Sequence, residues 1–86
     1  MNIWTTQWNE NGKAGQRSFA QKKLAVDFAV EKVKSPDCGA IGLWRLNADP
    51  KHTHASLLAQ SHDRDAWWDT KTYEGTILKS GQLTRR

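Results

Sequence analysis

The residues best suited to bind a metal ion are three histidines in the second half of the chain. His52 and His54 are separated by one residue, and His62, Asp63 and Asp65 follow them in a polar segment. Zinc sites usually place their ligands in closer pairs on defined helices or strands, and the chain has no second cysteine to add. We therefore interpret these histidines as surface residues and predict neither a metal nor a cofactor.

The same segment carries carboxylates that could serve as a general acid and a general base. Asp63, Asp65 and Asp69 are interleaved with Arg64 and Lys71, which would offset their charge. A catalytic pair needs an enclosed cleft that raises one pKa, and a domain this small rarely encloses one. The sequence also lacks a glycine-rich phosphate loop and a recognisable Ser/His/Asp order. We therefore predict that the protein is not an enzyme.

Cys38 is the only cysteine, so no disulfide can form within the chain and a reducing compartment is expected. It lies between Asp37 and Gly39 with no basic neighbour in the sequence, which predicts an inert thiol. The chain shows no signal peptide and no apolar run long enough to cross a bilayer. We expect a cytoplasmic protein without a membrane partner.

Charge and aromatic content indicate binding. The net charge of +4 and the pI near 9.5 fit an anionic partner, although the thirteen Lys and Arg residues are scattered along the chain. Five tryptophans in 86 residues predict either an aromatic-rich core or a contact surface. The candidate binding residues are Arg17, Lys22, Lys23, Arg45, Trp67, Trp68, Arg85 and Arg86.

A β-hairpin is predicted at the start of the chain. Residues 2–8 alternate as in a strand, Asn11-Gly12 favours a type I′ turn, and residues 14–18 form the return strand. One face of this hairpin would carry large side chains, which either pack against a helix or form an exposed platform. We favour the core. The predicted cross-strand pairs are Trp4 with Phe19, Thr6 with Arg17, Trp8 with Gly15 and Glu10 with Lys13.

Residues 18–34 (SFAQKKLAVDFAVEKVK) are predicted to form the main helix. Ser18 and Gln21 have the spacing of a capping box, and Pro36 is expected to end the helix. Apolar residues recur at helical spacing over a wide arc, opposite a narrow charged stripe. This pattern predicts a helix that is covered on more than one side.

The remaining segments complete a sheet. Residues 39–46 (GAIGLWRL) have apolar groups on both faces, which predicts a central strand. Residues 54–60 suit either a strand or a short helix, and we favour a strand that pairs with the preceding one. Residues 73–79 form a last strand, and residues 82–86 form a basic tail that frays. The prediction is one α+β domain over residues 1–86, with an antiparallel sheet of four to five strands and one main helix packed on one face, in a ββαββ-like order.

This layout resembles that of small phage-encoded inhibitors, including anti-CRISPR proteins. The resemblance is in size and arrangement: the hairpin over residues 3–19, the helix over residues 18–34, the strand GAIGLWRL and the later Trp67-Trp68-Asp69. It implies a non-enzymatic protein in the host cytosol that docks on a host defence or nucleic-acid-processing complex and blocks it. Such a protein would cover a nucleic-acid channel or engage the nucleic acid itself. The resemblance assigns no role to any individual residue.

Two other functions remain open. The first is a basic nucleic-acid-binding module that uses Arg17, Lys22, Lys23, Arg45 and the Arg85-Arg86 tail. The second is a small structural subunit that completes its core by self-association, for example as a homodimer. The expected partner is thus a protein complex, a nucleic acid or a second copy of the chain.

Overall fold

The structure is a computed structural model that describes residues 2–60 and 68–84, with side chains described for residues 2–60 and 71–84. Its described part is an α+β fold with a five-stranded antiparallel sheet and one main helix, as predicted. The elements are β1 (Asn2–Glu10), β2 (Lys13–Phe19), α1 (Lys22–Lys32), β3 (Ile41–Ala48), α2 (His54–Ala59), β4 (Trp68–Ile77) and β5 (Leu83–Thr84). The strands lie in the order β2-β1-β3-β4-β5.

The hairpin of β1 and β2 has the predicted turn and register. Asn11 and Gly12 have φ angles of 53° and 76°, so both adopt the left-handed conformation that a type I′ turn requires. All four predicted cross-strand pairs are present. A Cβ on Gly15 would lie 2.6 Å from ring atoms of Trp8, so the indole packs directly on the bare backbone of this glycine.

One face of the sheet packs against α1 and forms the main core. Ala25, Ala29 and Val33 are fully buried on the helix side of this core. The aromatic residues Trp4, Trp8 and Phe19 pack around it from the hairpin. The favoured interpretation of the hairpin's aromatic face as core is therefore confirmed. The sheet contributes Ile41, Leu43 and Ile77 to the same cluster.

The predicted start of the main helix is wrong. Ser18 belongs to β2, where its hydroxyl lies 2.7 Å from the hydroxyl of Thr5, and α1 begins only at Lys22. Gln21 is the N-cap, and its side chain makes no capping hydrogen bond. Cross-strand pairing thus continues through Ser18 and competes successfully with the capping box. The prediction that the helix is covered on more than one side fails at Leu24, which belongs to the predicted apolar arc and is 49% exposed.

The carboxyl end of α1 is held by a lysine from the end of the sheet. α1 ends at Lys32, with Val33 as its C-cap, before Pro36. The ammonium of Lys79 donates hydrogen bonds of 2.7 Å to the backbone carbonyls of Val33, Ser35 and Cys38. The carbonyl of Ser35 also accepts a 3.1 Å hydrogen bond from the backbone N–H of Cys38, so Lys79 is its second donor. A positive charge is favourable at the carboxyl end of a helix.

A second contact anchors the same loop to the hairpin. The carboxylate of Glu10 accepts a 2.8 Å hydrogen bond from the ammonium of Lys32 and a 3.1 Å bond from the hydroxyl of Ser35. Both bonds lower the pKa of Glu10 below its ordinary value, and the bond from Lys32 has the larger effect. The loop between α1 and β3 is therefore tied to both β1 and the turn after β4.

Residues 54–59 form helix α2, so the predicted strand at residues 54–60 is wrong. Thr53 caps the helix, its hydroxyl accepting a 3.1 Å hydrogen bond from the backbone N–H of Ser56. Leu57 is fully buried against Ile3, Leu46 and Ala48 on the sheet face opposite α1. β3 already pairs with β1 on one side and β4 on the other, so it has no free edge for a further strand.

The end of the chain also differs from the prediction. β4 extends from Trp68 to Ile77, which is longer towards the amino terminus than expected. Leu83 and Thr84 pair with it as β5, where a frayed tail was predicted; Arg85 and Arg86 lie outside the described residues. Gly75 makes this pairing possible, because its φ is 148° and a Cβ would collide with the carbonyl oxygen of Thr84.

Within the described ranges, no helix combines the length and the apolar character needed to cross a membrane.

Candidate binding face

The sheet face opposite α1 has two parts with different chemistry. One end carries the apolar side chains that α2 covers, around Leu57. The other part is built from aromatic rings, amides, hydroxyls and one ammonium group. We call this second part the distal face; its residues are Thr5, Gln7, Gln16, Ser18, Gly42, Lys71, Trp44, Tyr73 and Thr76.

Strand register places most of these residues in two parallel rows. Because directly paired residues in an antiparallel sheet point to the same face, each row crosses four strands. The first row presents two hydroxyls and two rings, and the second presents two amides, a glycine and a hydroxyl. The rows are Ser18, Thr5, Trp44 and Tyr73, followed by Gln16, Gln7, Gly42 and Thr76.

Trp44 and Tyr73 form an aromatic pair in the centre of the distal face. Their ring centroids are 5.2 Å apart and their planes are tilted by 58°, within the range of favourable aromatic pairs. The ammonium of Lys71 lies 4.8 Å from the centroid of the Trp44 ring, which is a cation–π contact. Both rings are half-buried and Lys71 is exposed.

The positions of both rings are restrained by neighbouring groups. A Cβ on Gly42 would lie 3.5 Å from the indole nitrogen of Trp44, so the pyrrole edge of the ring lies beside this glycine. The hydroxyl of Tyr73 forms a hydrogen bond with the hydroxyl of Thr76. A ring that is already restrained loses less conformational freedom when a ligand packs on it.

Polar side chains extend the distal face from Trp44 towards the outer strand β2. The Nε2 of Gln7 donates a 3.1 Å hydrogen bond to the Oε1 of Gln16. In the neighbouring row, the hydroxyl of Ser18 lies 2.7 Å from that of Thr5, which is itself buried. The half-buried groups on this side are the amides of Gln7 and Gln16 and the hydroxyl of Ser18. Amides and hydroxyls both donate and accept hydrogen bonds, so these three groups can recognise polar edges of a ligand.

The described cations among the predicted binding residues lie on the α1 side of the sheet. Arg17 is exposed, with its guanidinium 5.3 Å from the ring centroid of Phe19 and 5.2 Å from that of Phe28. Arg45 pairs in register with Trp4, and its Nε lies 3.4 Å from a carboxylate oxygen of Glu74. Both guanidinium groups thus already have partners within the fold.

Of the other predicted binding residues, two lie on α1 and one lies at the start of β4. Lys22 and Lys23 begin α1, and Lys23 is exposed. Trp68 begins β4 and pairs with Ala48, but only its backbone is described. The predictions for Trp67, Arg85 and Arg86 fall outside the described residues.

Sequence reasoning did not identify Trp44, Tyr73 and Lys71 as a candidate site. One signal was available: in the strand GAIGLWRL, Trp44 lies on the opposite face from Ile41 and Leu43. The partner of Trp44 could not be read from the sequence, because it depends on the register between β3 and β4. That register is shifted by an irregularity between Leu43 and Trp44.

The residues considered for metal binding are not gathered in the described part of the chain. His54 is exposed, and its Nε2 lies 3.2 Å from the backbone oxygen of Asn2. Among the side chains of residues 2–60 and 71–84, no group of three or more from His, Cys, Asp and Glu could hold a metal ion. The predictions for His62, Asp63 and Asp65 fall outside the described residues.

Comparisons with protein-family models, with curated proteins and with solved structures find nothing that matches this chain. The resemblance to small phage-encoded inhibitors therefore stays a hypothesis. The distal face offers the geometry from which a function can be inferred.

Proposed function

We propose that the chain is a non-enzymatic binding protein and that the distal face is its contact surface. The observation that supports this proposal is the Trp44–Tyr73 pair with the Lys71 ammonium over it. Neither ring belongs to the cluster under α1 or to the cluster under α2. Small domains place most large aromatic side chains in their core, so a half-buried pair outside both clusters favours a role in recognition.

The chemistry of the distal face favours binding over catalysis. Its described side chains are two rings, amides, hydroxyls and one ammonium, arranged across one face of four strands. These groups can stack on a partner and form hydrogen bonds with it. Catalysis would need an acid and a base, or a nucleophile and a base, at hydrogen-bond distance.

The resemblance to phage-encoded inhibitors suggests the biological use of such a surface. In this hypothesis the protein docks on a host defence or nucleic-acid-processing complex and blocks it by occupancy. A small domain suits this role, because occupancy requires only one contact surface and a stable fold.

Affinity capture from lysate, with and without nuclease treatment, tests the proposed surface. We expect Trp44→Ala to lose the partner that the wild-type protein retains. Leu24→Ala is the matched control, because Leu24 is an exposed apolar residue on α1, on the other side of the sheet. Circular dichroism establishes that both variants are folded. Equal capture by folded Trp44→Ala and by the wild type would refute the distal face as the contact surface.

A further inference from the structure

We propose that the partner of the distal face is single-stranded nucleic acid, with a base stacked on Trp44 and the Lys71 ammonium at a phosphate. This inference rests on the proposed function and names the class of partner. The cation in the site is Lys71, which lies on the distal face. It differs from the described cations that the sequence suggested, which lie on the other side of the sheet: Arg17, Lys22, Lys23 and Arg45.

The groups that a partner can contact on this side of the sheet favour nucleic acid over protein. The aliphatic side chains Ile3, Leu46 and Ala48 are already covered by Leu57 of α2. The remaining part offers aromatic rings and hydrogen-bonding groups, with no exposed aliphatic patch among its described side chains. Protein partners usually need an apolar centre that excludes water. Bases need a ring to stack on and polar groups at their edges, and the distal face has both.

Charge also favours a nucleic-acid partner. The protein has a net charge of +4, which attracts a polyanion from all sides. Lys71 is exposed, and within residues 2–60 and 71–84 no carboxylate forms an ion pair with it. Its ammonium instead lies over the Trp44 ring. A base that stacks on this ring displaces the ammonium, which is then close enough to meet the phosphate of the same nucleotide.

The width of the distal face favours a single strand over a duplex. Each row of the distal face crosses four strands. With the usual spacing between neighbouring strands, the face is about 14 Å wide. A four-stranded face is wider than the major groove of a duplex, which is about 12 Å wide and admits a helix or a two-stranded ribbon. Sheets that bind single strands instead stack two or three unpaired bases on their rings. Gln7 and Gln16 lie one strand and two strands away from Trp44, where a neighbouring base edge would lie.

Fluorescence anisotropy with labelled oligonucleotides tests the inference. The probes are single-stranded DNA and RNA of about twelve nucleotides, a length within the usual site sizes, and a duplex of the same sequence. We expect both single strands to bind more tightly than the duplex. Trp44→Ala should weaken single-strand binding by about 5-fold to 150-fold, the range expected for the loss of one stacked base. Trp44→Phe keeps an aromatic ring and should retain most of the affinity, which separates stacking from a folding defect.

A pair of charge reversals tests the position of the phosphate. Lys71→Glu and Lys23→Glu change the net charge equally but lie on opposite sides of the sheet. We expect Lys71→Glu to weaken binding and to reduce the slope of log affinity against log salt by about 1. Lys23→Glu should have a much smaller effect. Equal weakening by the two reversals would overturn the assignment, because it would indicate attraction by net charge alone.

The outcomes separate this inference from the proposed function. If no oligonucleotide binds at low salt while Trp44→Ala still loses a nuclease-resistant partner in the capture experiment, the partner is a protein and only the nucleic-acid inference fails. If folded Trp44→Ala keeps the partner of the wild type and all oligonucleotide binding, both proposals fail. Tight duplex binding with no preference for single strands also overturns the inference.

Discussion

The three hydrogen bonds of Lys79 lead to a quantitative prediction for stability. Its ammonium donates 2.7 Å bonds to the carbonyls of Val33, Ser35 and Cys38, and so joins the turn after β4 to the end of α1. Lys79→Met keeps most of the side-chain length but removes the charge and all three donors. The bonds to Val33 and Cys38 are partly buried, whereas the bond to Ser35 is exposed.

The magnitude follows from these differences in burial. The carbonyl of Ser35 can be hydrated after the substitution, so the loss of its hydrogen bond to Lys79 should cost little stability. Loss of the hydrogen bond to each of the two partly buried carbonyls should lower the free energy of unfolding by about 1 kcal/mol or slightly more, because an acceptor that is buried without a partner has lost its hydration. We therefore expect Lys79→Met to lower the free energy of unfolding by about 2–3 kcal/mol. For a domain of this size, that corresponds to a fall in Tm of about 8–24 °C.

Urea denaturation followed by circular dichroism measures this change. The control is Lys34→Met, since Lys34 forms an exposed ion pair with Glu31 at 3.2 Å and its loss should cost at most about 0.5 kcal/mol. A folded protein with an unchanged m-value and a lowered midpoint is the expected result for Lys79→Met. A cost no larger than that of Lys34→Met would refute the claim that Lys79 stabilises the end of α1.

Two further predictions concern the small helix and the hairpin end. Leu57→Ala should cost about 2–5 kcal/mol in unfolding experiments, because Leu57 is fully buried under α2; a loss no larger than that of Leu24→Ala would contradict the second core. The pKa of Glu10 is lowered by Lys32 and Ser35, so this group adds stability above the ordinary carboxyl value of 4.5 and loses it as the pH falls below that value. In thermal melts from neutral pH to about pH 3, Glu10→Gln should therefore show a shallower fall in Tm than the wild type; parallel curves would refute this role.

Local sequence determined the hairpin and the orientation of the central strand. A type I′ turn requires positive φ at two consecutive residues, and Asn11-Gly12 is one of the few pairs that adopt it readily. The turn then determines the register of all the pairs between β1 and β2, including the contact of Trp8 with Gly15. The alternation in β3 likewise assigns Leu43 to one face and Trp44 to the other, because side chains alternate along a strand.

The start of α1 and the structure of residues 54–60 were decided by competition with distant parts of the chain. Ser18 has the spacing of a helix cap, yet its hydroxyl pairs with Thr5 across the hairpin. Residues 54–60 could alternate as a strand, but both edges of β3 are already taken by β1 and β4. A local pattern shows what a segment can form, and it cannot show which hydrogen-bonding edges remain free.

Only the tertiary structure assembled the candidate site. Trp44, Tyr73 and Lys71 come from two strands that are far apart in sequence, and a register shift within their ladder sets which side chains meet. The same structure placed the predicted basic residues Arg17 and Arg45 on the side of α1. The physical reason is that the face of a residue follows from local alternation, whereas its neighbours on that face depend on the pairing of strands brought together only by the folded sheet.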